Sequence, residues 1–136
     1  RSREAPAVFK HEGKYFVITS GCTGWDPNEA EYAVTTSIMG PWKVVGNPCR
    51  GPLAERTFNA QSSFVLPVAG KPGAFILMAD RWNKDSLGDS RYVWLPIRMR
   101  GETMSIEWTE RWKLPAEGAA PLPFISKGET NVRPRK

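Results

Sequence analysis

Two similar stretches decide the fold, "GKYFVITS" at residues 13–20 and "GAFILMAD" at residues 73–80. Each is a short run of β-branched and aromatic residues that follows a glycine-containing turn, which is typical of a β-strand after a hairpin. The two runs begin 60 positions apart, and Tyr32 and Tyr92 in the following runs are also 60 positions apart. A repeat at a fixed interval indicates two copies of one structural unit.

The other apolar runs have the same character, and none carries a helical period. Strands are predicted near residues 7–10, 14–20, 31–37 and 42–45, and again near 62–68, 74–80, 91–98 and 104–112. This pattern predicts an all-β chain, and four antiparallel strands per copy are typical of a β-propeller blade. The two blades would span about residues 1–56 and 57–114, and a β-sandwich remains the structural alternative. Residues 115–136 are rich in proline and glycine, which predicts a tail or peripheral wrap.

An acid and an amide stand just before the first strand of each copy. Glu4 in "REAPAVF" aligns with Gln61 in "AQSSFVL", 57 positions later. Propeller blades surround a central channel, so equivalent residues of neighbouring blades point into the same small space. We therefore expect Glu4 and Gln61 to meet. The alternative is that Glu4 pairs with Arg1 or Arg3 and that Gln61 satisfies a backbone group.

Several separated blocks resemble glycoside hydrolase family 43. They are "REAPAVFKHEGKYFVITSGCTGW", "GPW", "GNPC", "TFNAQSSFVLP", "ADRW" and "SRYVWLP". Over residues 1–114 the chain is similar to the C-terminal half of the catalytic domain in the exo-β-1,3-galactanase and galactosidase branch. The resemblance implies a partial five-bladed β-propeller of about two blades. It also implies release of galactose, with inversion, from β-1,3-galactan or arabinogalactan-type chains. The chain alone would be incomplete and inactive without the N-terminal blades of the same protein.

The resemblance also implies roles for the two aligned residues. Glu4 corresponds to the general acid, and Gln61 corresponds to a glutamine that positions the attacking water in a branch lacking the usual carboxylate base. That branch has been interpreted as using an imidic-acid tautomer of the glutamine. Inversion normally needs ~6.5–9.5 Å between acid and base, because the water must fit between them and the sugar. Since strand residues alternate in direction, Arg3 should point away from the face of Glu4.

Two loops supply candidate contacts to a sugar. "SGCTGW" offers glycines that allow close backbone approach, hydroxyl groups, and a tryptophan that could stack on the C–H face of a sugar. "ADRW" is its counterpart in the second copy. The predicted substrate-binding residues are Thr19, Gly21, Thr23, Gly24, Trp25, Asp80, Arg81 and Trp82. The same residues could instead be turn glycines, packing tryptophans and a structural ion pair between Asp80 and Arg81.

Two cysteines, Cys22 and Cys49, lie in loops that could meet and form a disulfide, which would add roughly 3 kcal/mol. Two free thiols are the alternative. One histidine and two cysteines cannot build a zinc site with the usual ligand spacing, so no cofactor is expected, and a structural Ca²⁺ stays open. A disulfide and a polysaccharide substrate favour an extracytoplasmic protein, secreted or periplasmic, with its export signal outside this chain.

The composition argues against two other classes of partner. The net charge is +5, but the basic residues are scattered, which favours a solvated surface over a nucleic-acid interface. No apolar run reaches the ~18 residues of a membrane span, so a membrane partner is not expected. A non-catalytic carbohydrate-binding propeller remains the alternative function.

Overall fold

The computed structural model describes residues 2–114, which form nine strands and two short 3₁₀ helices. The strands are β1 Arg3–His11, β2 Lys14–Gly21, β3 Glu31–Thr35, β4 Lys43–Gly46, β5 Cys49–Arg50, β6 Gln61–Pro67, β7 Phe75–Arg81, β8 Arg91–Arg100 and β9 Thr103–Glu107. The 3₁₀ helices are η1 Ala54–Asn59 and η2 Leu87–Asp89. The all-β prediction is confirmed, and the predicted tail lies outside the described residues.

The strands form two sheets that follow the repeat. The first sheet has the order β1-β2-β3-β4, and the second has the order β5-β9-β8-β7-β6. Strands β1–β4 and β6–β9 are antiparallel meanders, as predicted, with the two similar stretches in β2 and β7. The short β5 was not predicted. It pairs in parallel with β9 of the second sheet, although it precedes the predicted blade boundary at residue 56.

One apolar core lies between the two sheets. The alternation of strand residues places one row of each sheet inside. The buried rows include Ala7, Ile18 and Tyr32 of the first sheet and Val65, Leu77 and Leu95 of the second. The rings of Phe9 and Phe75 meet across the core with centroids 4.8 Å apart. The backbone N–H of Met104 donates to the hydroxyl of Tyr32 at 3.2 Å, which also ties β9 to β3. The first and second sheets are therefore held face to face.

The opposite face of the second sheet is also apolar, and part of it is exposed within residues 2–114. Phe64, Met78 and Trp94 are neighbours in register across β6, β7 and β8. Phe64 is 49% exposed and Trp94 is 48% exposed. The outer face of the first sheet likewise exposes Val8 and Val44. Strands that are apolar on both faces are typical of sheets covered on both sides.

A β-bulge follows each of the two aligned residues. The pairing of β1 with β2 shifts between Glu4 and Ala7, and the pairing of β6 with β7 shifts between Ser62 and Phe64. Ala5 in the first bulge has φ 50°, an unfavourable conformation for a residue with a side chain. Bulges re-aim nearby side chains. The same kind of bulge therefore follows Glu4 and Gln61, and it influences the direction of each side chain.

The predicted disulfide is wrong, because both cysteines are free thiols. Cys22 is exposed in the loop after β2, whereas Cys49 is buried in β5. Pairing of β5 with β9 holds Cys49 in the core, away from that loop. Burial raises the pKa of the Cys49 thiol to about 12. The thiol of Cys49 is therefore shielded and stays protonated at neutral pH.

Alkylation of the native protein by iodoacetamide should modify Cys22 and spare Cys49, because only an accessible thiolate reacts. Mass spectrometry of the digested protein, without reductant, would measure modification at each site. Both cysteines should react after denaturation in urea. If neither cysteine were alkylated in the denatured, unreduced protein, the result would instead indicate a disulfide.

Candidate functional site

Glu4 and Gln61 meet where β1 and β6 begin. The Nε2 of Gln61 donates to Oε1 of Glu4 at 3.0 Å. It also contacts Oγ of Ser20 at 2.9 Å, and Ser20 lies opposite Glu4 in the β1–β2 pair. A hydrogen bond from the hydroxyl of Ser62 to the carbonyl of Ala5, at 2.8 Å, joins the two bulges behind them. The shared space expected from the repeat is thus present.

A tryptophan completes the contacts of the Gln61 amide. The indole N–H of Trp82 donates to Oε1 of Gln61 at 3.0 Å. Both N–H groups of the amide are therefore engaged, by Glu4 and Ser20, and its oxygen accepts one hydrogen bond. An amide oxygen has two lone pairs, so one acceptor position remains for another donor, such as a water molecule.

The contact between Glu4 and Gln61 is closer than an inverting acid and base would stand. Their atoms are 3.0 Å apart, whereas an inverting pair of carboxyl groups stands ~6.5–9.5 Å apart. No sugar or water fits between two groups that share a direct hydrogen bond. If Glu4 and Gln61 act as an inverting pair, this hydrogen bond has to open before a sugar can lie between them.

A pocket of about 280 Å³ adjoins Gln61, just below the ~300–1,000 Å³ that is usual for ligand sites. Of the predicted binding residues, Gly24, Trp25, Arg81 and Trp82 line it. The rings of Trp25 and Trp82 stand edge to face with centroids 5.4 Å apart. Trp25 is 51% exposed and Trp82 is 41% exposed. Two half-exposed aromatic rings beside polar groups are suited to contact a sugar ring.

Thr19 does not reach this pocket. Its hydroxyl accepts from Nε of Arg3 at 3.0 Å and donates to the carbonyl of Glu31 at 3.2 Å. Arg3 also lies 3.8 Å from the Glu31 carboxylate, so its side chain turns away from Glu4, as alternation along the strand predicted. Thr19 therefore holds the sheet together on the far side. Arg1, the other expected neighbour of Glu4, lies outside the described residues.

Gly21 and Thr23 shape the loop without lining the pocket. The side chain of Asn28 accepts from the backbone N–H of Gly21 at 2.6 Å and donates to the Gly21 carbonyl and to Oγ1 of Thr23. A Cβ atom at Gly21 would lie 3.3 Å from Oδ1 of Asn28. These contacts fix the loop that carries Trp25.

Asp80 and Arg81 do not form an ion pair with each other in the described part of the chain. Asp80 accepts a hydrogen bond from the hydroxyl of Ser63. Arg81 donates to the carbonyl of Phe58 at 2.6 Å, and its guanidinium lies 5.2 Å from the centre of the Trp108 ring. Arg81 is thereby anchored at the wall of the pocket, and Asp80 is absent from the pocket lining.

The η1 segment, which the sequence reasoning missed, forms another wall of the pocket. Arg56 and Asn59 line it. Thr57 is buried, and its hydroxyl donates to the carbonyl of Asn28 at 2.7 Å and accepts from the N–H of Ala30 at 2.8 Å. Thr57, Phe58 and Asn59 all have positive φ. Only Asn59 belongs to a residue type that favours this conformation, so the sequence carried little signal for it.

Thr57→Val should destabilise the folded protein by about 1–3 kcal/mol, because it removes the partner of the buried Ala30 N–H and of the half-buried Asn28 carbonyl while keeping the side-chain shape. The midpoint of urea unfolding of the full-length protein measures this effect. Thr103→Val, an exposed threonine in β9, is the matched control and should change stability by less than ~0.5 kcal/mol. Equal midpoints for the two variants would contradict the role of Thr57.

The described residues hold no cluster of three or more His, Cys, Asp or Glu side chains that could bind a metal ion. Within residues 2–114, no helix has the length and apolar character that crossing a membrane requires.

Solved structures of two β-1,3-galactosidases and one exo-β-1,3-galactanase are among those similar to this chain. A β-1,3-galactosidase of glycoside hydrolase family 43, in complex with galactodeoxynojirimycin, is 50% identical with a TM-score of 0.79 over 82% of this chain and 32% of its own. A second family-43 β-1,3-galactosidase is 45% identical with a TM-score of 0.79 over 82% of this chain and 24% of its own. The exo-β-1,3-galactanase of Phanerochaete chrysosporium, in complex with β-1,3-galactotriose, is 35% identical with a TM-score of 0.67. The match covers 76% of this chain and 23% of the galactanase.

No family profile matches the chain, and no curated protein matches it. The chain spans about a third or less of the length of the relatives with solved structures. At half identity over four-fifths of its length, with matching strands, it belongs to glycoside hydrolase family 43.

Proposed function

We propose that this chain is part of an inverting glycoside hydrolase that releases galactose from β-1,3-galactan or arabinogalactan-type chains. The observation that carries the proposal is the hydrogen bond between Glu4 and Gln61 beside a pocket with two tryptophans. Solved relatives bind galactodeoxynojirimycin and β-1,3-galactotriose, which supports a galactose-containing substrate.

In the proposed reaction, Glu4 is the general acid. Protonated Glu4 donates its proton to the glycosidic oxygen as the bond to the anomeric carbon breaks. A water molecule that donates a hydrogen bond to Oε1 of Gln61 attacks the opposite face, which inverts the configuration. An amide is a very weak base, so we propose that Gln61 mainly positions this water. The proton of the water would leave through the imidic-acid form of Gln61 or through a carboxylate outside this chain.

We propose that Trp25 contacts the sugar directly. It lines the pocket, is half exposed and has an indole N–H without a described partner. Gly24 beside it allows close approach, since it has positive φ and open space where a side chain would stand. Arg81, which also lines the pocket, would contribute a further contact. The reaction needs an acid and a water molecule, so no cofactor is proposed.

We propose that the two sheets are two blades of a five-bladed propeller, completed by further sheets of the same protein. The apolar row of Phe64, Met78 and Trp94, in which Phe64 and Trp94 are half exposed, supports this proposal because it supplies an apolar face for a neighbouring blade. The short span of the chain relative to its relatives agrees with it. The proposed polysaccharide substrate supports an extracytoplasmic location, whereas the free cysteines do not support it.

Incubation of the full-length protein with β-1,3-galactan tests the proposal. We expect release of galactose, with the α-anomer formed first, because inversion of a β-linkage gives an α-product. Proton NMR of the early product distinguishes the anomers before they equilibrate. A β-anomer formed first would exclude inversion. Binding of galactan without galactose release would favour the non-catalytic carbohydrate-binding alternative.

A further inference from the structure

We infer that Trp82 is a positioning residue that fixes the orientation of the Gln61 amide, an inference that rests on the proposed function of Gln61. Three partners surround this amide, namely Glu4, Ser20 and Trp82. Which of the amide's two ends faces which partner decides whether an oxygen lone pair or an N–H group is offered to an attacking water.

Neither Ser20 nor Glu4 can enforce one orientation by itself. The hydroxyl of Ser20 both donates and accepts, so it can pair with either end of the amide. The same holds for the carboxyl of Glu4 once it carries a proton, as a general acid must. If the amide turned over, its oxygen could accept from both groups and the site would remain satisfied on that side.

Trp82 removes this ambiguity, because an indole N–H can only donate. Its N–H lies 3.0 Å from Oε1 of Gln61. In the reversed orientation the amide NH₂ would face this N–H, so two donors would oppose each other beside the half-buried pair. Trp82 therefore selects the orientation in which the amide oxygen, with its unused lone pair, lies on the tryptophan side.

The surroundings of Trp82 suit this role. Its ring stands edge to face against Trp25, and both rings line the pocket that adjoins Gln61. Trp25 has no described partner for its own N–H and is more exposed. Trp25 is thus accessible to a ligand, whereas Trp82 is hydrogen-bonded to Gln61.

Trp82→Phe in the full-length protein tests the inference, since phenylalanine keeps a ring against Trp25 but has no N–H. We expect kcat on β-1,3-galactan to fall ~10-fold to 100-fold, a range typical of a displaced reacting group, while KM changes less than ~2-fold. The matched control is Trp42→Phe. Trp42 is half-buried, does not line the pocket, and has an indole N–H without a described partner. It should leave both constants unchanged. A raised KM with unchanged kcat in Trp82→Phe would overturn the inference and make Trp82 a sugar contact.

A second measurement needs no turnover. In ¹⁵N NMR of the full-length protein, Gln61→Met should shift the indole N–H signal of Trp82, assigned by its loss in Trp82→Phe, because methionine has a similar length but no amide oxygen. An unchanged signal would refute the hydrogen bond and with it the inference. A wild-type protein that releases no galactose would refute the proposed function instead, so the two failures are distinguishable.

Discussion

Glu4→Gln in the full-length protein is expected to lower kcat by about 10²–10⁴-fold while leaving the affinity for galactosides nearly unchanged. Glutamine keeps the size of the side chain and can present its amide oxygen to Nε2 of Gln61, so the contact seen at 3.0 Å can persist. It has no proton to give to a departing sugar oxygen. Galactose release measures turnover, and calorimetric titration with a non-hydrolysed galactose analogue measures binding.

Glu12→Gln is the matched control for this change. Glu12 lies in the turn between β1 and β2, and its side chain is 71% exposed. The same loss of one carboxylate there should leave turnover as in the wild type. Retained turnover in Glu4→Gln would remove Glu4 from the role of general acid, whatever its contact with Gln61.

The second large effect concerns the 136-residue chain by itself. We expect it to release no detectable galactose from β-1,3-galactan and to unfold in a broad, weakly cooperative transition. Its outer faces expose apolar residues such as Phe64 and Trp94, and uncovered faces of this kind favour association and fluctuating packing. In the proposed mechanism, the carboxylic acid of Glu4 and the amide of Gln61 would also supply only part of an inverting site.

Circular dichroism across a thermal scan and galactose assays would follow these two properties, with the full-length protein measured in parallel. The full-length protein should melt sharply and release galactose under the same conditions. A sharp two-state transition of the isolated chain would contradict the proposal that further blades cover its faces. Hydrolysis by the isolated chain would contradict the division of the site between blades.

Much of the fold could be predicted because the pattern that specifies it is local. Alternating β-branched and aromatic residues between turns give meander strands, and the 60-residue interval groups them into two sheets. β5 was not predicted, because a strand of two residues is too short to show an alternating pattern of apolar and polar residues. η1 escaped because its geometry depends on three consecutive left-handed residues held by the contacts of Thr57.

The core of the site was also predictable, because the alignment of the two copies pairs Glu4 with Gln61. The errors came from side-chain direction. Glu4 lies opposite Ser20 in register, so Ser20 shares its side of the sheet and Thr19 faces away. Neither the donor role of Trp82 nor the separation of Cys22 from Cys49 could be read from the sequence, because both depend on how the two sheets pack.

The closed contact between Glu4 and Gln61 has a consequence for affinity. The carboxyl of Glu4 already has a partner within the protein, so a galactoside that bound this carboxyl would compete with an internal hydrogen bond. Losing a hydrogen bond between uncharged groups costs ~0.5–1.5 kcal/mol, which would weaken ground-state binding by ~2-fold to 10-fold. If the bond is already broken in the bound substrate complex, this cost raises KM and leaves kcat unaffected. Gln61→Ala, which cannot form this hydrogen bond, would then bind product-like sugars more tightly than the wild-type protein does.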